Sequence, residues 1–241
     1  MMKVDEFVAK MCLAAGVESL YVKGAFGAPA NDANKKRYCA NNPYNKRADR
    51  TAKIMAAAPD VFFSDCCGII KGVLWGWRAD VNKRYGGAEY KANGVPDVGA
   101  DGMIQACKDA SKDFSRIEPG MLVWLSGHVG IYVGDGLVVE STPAFKDGCQ
   151  YTNLGNLGYK TGNWRNWTKC GHLPWVEYKS SSNTEKPQTE APAQSQTYIV
   201  KKGDSLSKIG KQFGVPWKSI ADLNGISFPY IIRVGQKIKI K

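Results

Sequence analysis

Residues 179 to 196 constrain this chain most. Lys179-Ser-Ser-Ser-Asn-Thr-Glu-Lys-Pro-Gln-Thr-Glu-Ala-Pro-Ala-Gln-Ser-Gln196 contains no large apolar side chain. Such a stretch buries too little surface to offset its ordering entropy, so it reads as a flexible linker. It divides 241 residues into a segment of 1–178 and a segment of 197–241. The larger one is long enough for a core that removes most of its apolar surface from water.

Charge is distributed unevenly over these parts. The chain carries a net +11. The last segment holds nine Lys or Arg against Asp204 and Asp222, a net of +7, and the linker nets zero, which leaves +4 for residues 1–178. A field of this sign favours polyanionic partners. Within the first segment, Lys35, Lys36, Arg37, Lys46, Arg47, Arg50 and Lys53 stand against Asp49. That stretch reads either as a contact for anionic wall polymers or as a solvated insertion. No zinc-finger spacing or aromatic RNA-binding motif accompanies the charge, so nucleic acid is not an expected partner. No run of eighteen apolar residues is present, so no membrane insertion is expected.

Periodicity supplies the elements. Val4, Phe7, Val8, Met11 and Ala15 recur at helical spacing up to Gly16. Ser64 or Asp65 is a candidate N-cap for a helix from Cys66 to Arg78. A further helix is expected from Met103 to Phe114. After Pro119-Gly120 the pattern turns to strands at Met121–Leu125, His128–Val133 and Leu137–Glu140. Helices first and hairpin-linked strands later predict an α+β domain with an antiparallel sheet. The last segment reads as a β-α-α-β unit.

The seven cysteines, at 12, 39, 66, 67, 107, 149 and 170, form an odd set with no disulfide framework expected. Cys12 and Cys107 fall on apolar helical patterns and read as buried filler. Cys170-x-His172 lacks a CxxC partner, so neither zinc nor any other metal or cofactor is expected. Cys66 and Cys67 are adjacent, and helix phase separates them. Cys66 shares a stripe with Ile70, Val73 and Trp77, whereas Cys67 aligns with Lys71 and Arg78. A thiol in the first turn of a helix meets unpaired N–H groups and the positive end of the dipole, and both favour the reactive thiolate.

A thiolate nucleophile needs a base, and the chain has two histidines. His128 opens an alternating strand with Gly130 and Tyr132 on its face. His172 lies in a Trp- and Pro-rich stretch and reads as a structural surface residue. A three-residue hairpin loop at Gly134-Asp135-Gly136 would pair Val133 with Leu137 and set Gly130 opposite Glu140. Glu140 would then be diagonal to His128 on one face, able to orient the imidazole. A two-residue loop would move Glu140 to the other face.

The residues around these three resemble the NlpC-type cysteine peptidases. Phe63-Ser64-Asp65-Cys66-Cys67-Gly68-Ile69-Ile70 is similar to their Asp-Cys-Ser-Gly-apolar-apolar signature, with Cys67 in the Ser slot. Glu118-Pro119-Gly120-Met121-Leu122-Val123-Trp124 resembles the Pro-Gly-Asp-Leu stretch, with Met121 replacing Asp. His128-Val-Gly-Ile-Tyr-Val-Gly-Asp-Gly136 matches the histidine strand, and Tyr21-Val-Lys-Gly24 resembles the upstream Tyr-x-x-Gly element. The family's third polar residue is usually His; here Glu140 takes that slot. The resemblance implies a papain-like fold with Cys66 as nucleophile, His128 as base, Glu140 as orienter and Tyr21 beside the oxyanion. It implies cleavage of an amide in the peptidoglycan stem, as a D-γ-glutamyl-diamino acid endopeptidase or an N-acetylmuramoyl-L-alanine amidase. A non-catalytic wall-binding protein is the reading of another class.

Tyr198-Ile-Val-Lys-Lys-Gly-Asp-Ser-Leu-Ser-Lys-Ile-Gly210, Leu223-Asn224-Gly225 and Val234-Gly235-Gln236-Lys237-Ile238 resemble a LysM module, with Gly210 where Ala is usual. That resemblance implies binding of N-acetylglucosamine-containing glycan between two loops, Gly203-Asp204-Ser205-Leu206 and Gly225 to Ile231, with Asn224 and Ile226 at the second. Asp5 and Glu6 interrupt any leader-like N-terminus. The expectation is therefore a protein made in the host cytoplasm without a signal peptide, like a phage or prophage endolysin, and released to the wall through holin-type pores.

Overall fold

The computed structural model describes residues 1–178, 197–201, 204, 206–213, 215, 217–226 and 232–240. The linker expected at 179–196 lies outside the described residues. The chain divides into two compact units, Met1–Ser180 and Ser181–Lys241.

The first unit is a mixed α/β assembly. It begins with β1 (Met2–Lys3) and α1 (Val4–Gly16), whose Phe7, Met11 and Ala14 are buried. β2 (Ser19–Tyr21) and β3 (Phe26–Pro29) follow, then α2 (Asp32–Asn41) and α3 (Ala48–Ala56). β4 (Phe62–Ser64) lies between β2 and β3 in a three-stranded sheet and leads into α4 (Cys66–Leu74). α5 (Ala100–Ala106) precedes β5 (Leu122–Leu125), β6 (His128–Gly134), β7 (Leu137–Thr142), β8 (Gly148–Leu154), β9 (Trp164–Arg165) and β10 (Lys169–Gly171). These six strands form one sheet in the order β10-β5-β6-β7-β8-β9, antiparallel except at β8–β9. A last short strand, β11 (Val176–Glu177), pairs with β1.

Alternation along the strands buries the large sheet on both faces. Val129, Ile131 and Val139 join Phe7, Met11, Ile70 and Val73 in the main core under α1 and α4. Val123, Tyr132 and Val138 form a second cluster with Phe114, Leu154 and Trp167.

α4 departs from the expected amphipathic helix in two ways. It ends at Leu74, with Gly76 at φ 95°, so Trp77 reaches the core from beyond the helix. It is also buried all round, Cys67 and Lys71 included. Its glycines explain the depth. A Cβ on Gly68 would stand 1.9 Å from the Ala25 carbonyl oxygen, and one on Gly72 2.4 Å from that of Phe26. The missing side chains, one turn apart, let α4 lie directly against the backbone around β3.

Two other expectations are corrected. The Met103–Phe114 helix is shorter and earlier, because residues after Cys107 turn away to pair Ser111 with Cys170 and to send Phe114 into the second cluster. Residues 31–53 are a folded segment rather than a purely solvated insertion, although Lys36, Lys46, Arg47 and Lys53 stay exposed. They form α2 and α3, with Asn34, Lys35, Tyr38, Asn45 and Arg50 buried.

The second unit is the expected β-α-α-β module: β12 (Thr197–Ile199), α6 (Leu206–Phe213), α7 (Trp217–Leu223) and β13 (Lys237–Lys239), with β12 and β13 antiparallel. Val200, Leu206, Ile209, Ile220, Ala221, Ile238 and Ile240 form its core. Gly210 has a local cause: a Cβ there would meet the Val215 carbonyl oxygen at 2.6 Å. The helix penalty of glycine is accepted so that the inter-helix turn closes over α6.

Candidate active site

Asp65, rather than Ser64, caps α4. Its Oδ1 accepts from the Gly68 N–H at 2.6 Å and its Oδ2 from the Gly24 N–H at 2.6 Å. One carboxylate thus satisfies an orphan donor of the helix and ties the helix start to the loop after Tyr21. Burial, with the neighbouring Cys66 charge, pushes the Asp65 pKa up to about 6 against those two N–H groups.

Cys66 is the first residue of α4 and is 6% exposed. Its electrostatic partners at the start of β6 are the His128 ring and the Val129 N–H, both of which favour its thiolate. Its Sγ lies 3.8 Å from that of Cys67. The Cys67 hydrogen bond, followed by the His128 contact, outweighs burial and holds the Cys66 pKa down to about 4. Cys67 moves the opposite way, raised by its hydrogen bond to the Cys66 thiolate and by burial.

His128 Nε2 stands 2.6 Å from Glu140 Oε2, which leaves Nδ1 for the thiol. Burial disfavours its charged form, but Cys66 and Glu140 together raise its pKa to about 9. Trp167 stacks on the imidazole at 5.5 Å between centroids and 13° between planes.

The hairpin that brings Glu140 here is not the one expected. Gly134 pairs with Leu137, so the loop has two residues, Asp135 and Gly136, both at positive φ (53° and 75°). That is the backbone of a tight twisted hairpin turn. By itself it would put Glu140 on the wrong face. The ladder shifts between Tyr132 and Gly134, and beyond the shift Tyr132 pairs with Val138 and Ile131 with Val139. Val133 is the extra residue of a β-bulge. A shorter loop plus one bulged residue gives the same register as a three-residue loop, and Glu140 returns to the face of His128. A Cβ on Gly130 would meet Val138 Cγ1 at 2.6 Å and Trp167 at 3.3 Å, so glycine keeps this crowded patch open.

Glu140 is fully buried and has three partners. Besides His128, Thr152 donates to Oε1 at 2.6 Å, and Arg165 Nε lies 2.9 Å from each carboxylate oxygen. Arg165 also donates to Thr142. Burial would raise the Glu140 pKa, but His128, Arg165 and Thr152 overcome it and lower it. Thr152 is readable as a same-face neighbour once the β7–β8 register is known. Arg165 and Trp167 lie beyond a loop whose length carries no register signal.

Tyr21 ends β2, and burial plus the Cys66 and Asp65 charges raise its pKa, so its hydroxyl keeps its proton. Its carbonyl accepts from Arg50, which also bonds Asp147 Oδ2 at 2.7 Å; Lys53 reaches the same oxygen. Part of the basic segment is therefore internal bracing behind Tyr21.

His172 is held elsewhere. Asp109 takes Nδ1 and Glu118 takes Nε2, each at 2.5 Å. All seven cysteines are free thiols; Cys107 is buried, whereas Cys12 is only half-buried.

In the second unit, Asp204 accepts from the Tyr198 hydroxyl and the Lys201 N–H, and Leu206 is in the core. Asn224 braces α7 to β13 through Ile220 and Lys239. Ile226 packs on the core, and among the described residues no atom stands within 4 Å of where a Cβ on Gly225, at φ 62°, would lie. Gly203, Ser205 and Ile231 lie outside the described residues.

Residues 198–241 match the LysM domain family. The chain is 31% identical over 109 residues to an endolysin of Bacillus phage B103, covering 38% of this chain and 40% of that protein. It is 50% identical over 48 residues to a lipoprotein NlpD/LppB homolog of Pseudomonas aeruginosa, covering 20% of this chain and 16% of that one. It is 50% identical over 42 residues to the N-acetylmuramoyl-L-alanine amidase XlyA of Bacillus subtilis, covering 17% and 14%. The chain thus spans well under half the length of each. The lipoprotein match overturns the expected leaderless, holin-released route. The module occurs in a protein named a lipoprotein, and Asp5 and Glu6 do not decide how this chain reaches its place of action.

Proposed function

We propose that the chain is a peptidoglycan hydrolase whose first unit is a papain-like, NlpC-type cysteine peptidase and whose second unit holds it on wall glycan. The observation that carries the reading is the buried array of Cys66, His128 and Glu140, in which Glu140 holds one imidazole nitrogen at 2.6 Å and both the thiol and the imidazole are shifted toward their charged forms. At neutral pH that array is a thiolate–imidazolium pair, a ready nucleophile next to a ready acid.

The thiolate of Cys66 attacks an amide carbonyl of the stem peptide. The developing oxyanion takes the backbone N–H of Cys66 and the protonated Tyr21 hydroxyl. His128 gives its proton to the leaving amine, then draws one from water as the thioester is hydrolysed. Glu140, itself fixed by Arg165 and Thr152, keeps the ring oriented and charged, as the carboxylate does in the serine triads.

The bond we assign is D-γ-glutamyl to diamino acid, following the NlpC-like motifs. The likeness to an amidase supports N-acetylmuramoyl-L-alanine cleavage as the second reading. The LysM unit, binding N-acetylglucosamine glycan beside Gly225, raises the effective concentration of the first unit at its polymer.

Mass spectrometry of muropeptides after digestion of purified peptidoglycan tests both points. New amino termini on the diamino acid are expected. Free L-alanine amino termini would select the amidase. Products from a Cys66→Ala variant equal to those of the parent would overturn the mechanism.

A further inference from the structure

Cys67 forms no bond to substrate in that chemistry, yet it lies against the proposed nucleophile and supports its thiolate. Its Sγ is 3.8 Å from that of Cys66. Two thiolates on a tetrahedral zinc-class ion, at about 2.3 Å each, stand about 3.8 Å apart. A carboxylate oxygen of Asp65 completes a group whose donor atoms all lie within 4.8 Å of one another. Each Asp65 oxygen accepts one backbone N–H and keeps a second lone pair.

We propose that Cys66, Cys67 and Asp65 form a binding site for a soft divalent cation of the zinc class, and that occupancy silences the Cys66 thiolate. Soft thiolates select such an ion over calcium or magnesium. The ion enters as M²⁺. The Cys66 thiolate and the Asp65 carboxylate bind as they stand, and Cys67 releases one proton to solvent as its sulfur coordinates. A water fills the fourth tetrahedral position. No electron moves, so a chelator reverses the process. A serine in place of Cys67 would leave one sulfur and a much weaker grip. The proposal stands whether or not Cys66 is the nucleophile of a wall hydrolase, because it is read from binding and not from turnover.

The test is titration of the full chain with Cd²⁺, followed by the sulfur-to-cadmium charge-transfer absorption in the ultraviolet. A Cys66→Ser/Cys67→Ser double variant supplies the background of the other five thiols. One tight equivalent with the absorption of two thiolates above that background is expected. Cys67→Ser should halve that absorption and weaken binding by about tenfold or more, as loss of a metal-supporting group typically does. Cys67→Ala, which removes the donor altogether, should behave alike. If both single variants bind Cd²⁺ with parental affinity and absorption, the site does not exist. If the parent shows no equivalent above the double variant, the same conclusion follows.

Discussion

The two histidines share more than their positions suggest. Each contacts carboxylate, each has a raised pKa, and burial works against the charged form of each. They differ in what holds the second ring nitrogen. Asp109 and Glu118 grip both nitrogens of His172, so its proton has nowhere useful to go. Glu140 grips one nitrogen of His128 and the other faces a thiol. A histidine between two carboxylates is a clamp; one between a carboxylate and a thiol can pass a proton, which is the role proposed for His128. Raised pKa alone does not distinguish them, and the partner list does.

The comparison breaks most sharply at the nucleophile side. His128→Ala should reduce muropeptide release to the no-enzyme level, whereas His172→Ala should leave kcat/KM nearly unchanged. Both are read on the same peptidoglycan digest. Next, Glu140→Gln should lower kcat/KM by about a hundredfold, within the usual span for acid–base catalysis. It should also narrow the pH profile in one direction. The proposed ion pair is populated between a thiol pKa held down to about 4 and an imidazole pKa raised to about 9. Loss of the carboxylate lowers the upper limit and leaves the lower one in place.

Arg165→Met should cost stability by about 2 kcal/mol, because it leaves Glu140 buried with one cation fewer. Chemical denaturation measures it. The smallest effect belongs to the clamp. The folded pKa of His172 lies above its ordinary value, so its stabilisation is fully present below the unfolded pKa and is lost as pH rises through the folded one. The stability gap between the parent and His172→Gln should therefore be wider at mildly acidic pH than at alkaline pH.

Much of the candidate site was legible in the chain. The cap, the helix start at Cys66 and the alternation of His128-Val129-Gly130-Ile131-Tyr132 are local signals, and local signals survive folding. The loop expected before Glu140 is one residue longer than the loop the chain forms. Glu140 keeps its expected face only because the bulge at Val133 offsets the shorter turn, and nothing in a Val-Gly-Asp-Gly sequence announces a bulge. Helix phase favoured Cys66 over Cys67 on the premise of an exposed face. α4 has none, and the choice rests instead on which sulfur meets β6. Arg165, Trp167 and the Arg50–Asp147 pair were out of reach, because each joins elements by tertiary contact across loops without a register rule. Cys12 is half-buried rather than buried, because α1 turns Phe7, Met11 and Ala14 to the core and leaves the neighbouring stripe half covered.

The thiolate–imidazolium pair is most directly tested by alkylation at low pH. At about pH 5.5 an ordinary thiol is almost wholly protonated and reacts slowly with iodoacetamide. Peptide mass spectrometry should show Cys66 labelled first among the seven cysteines under those conditions, with muropeptide release lost in proportion to the label. Cys66 that reacts only as pH approaches the ordinary thiol range, or fully labelled protein that still digests peptidoglycan, would contradict the account.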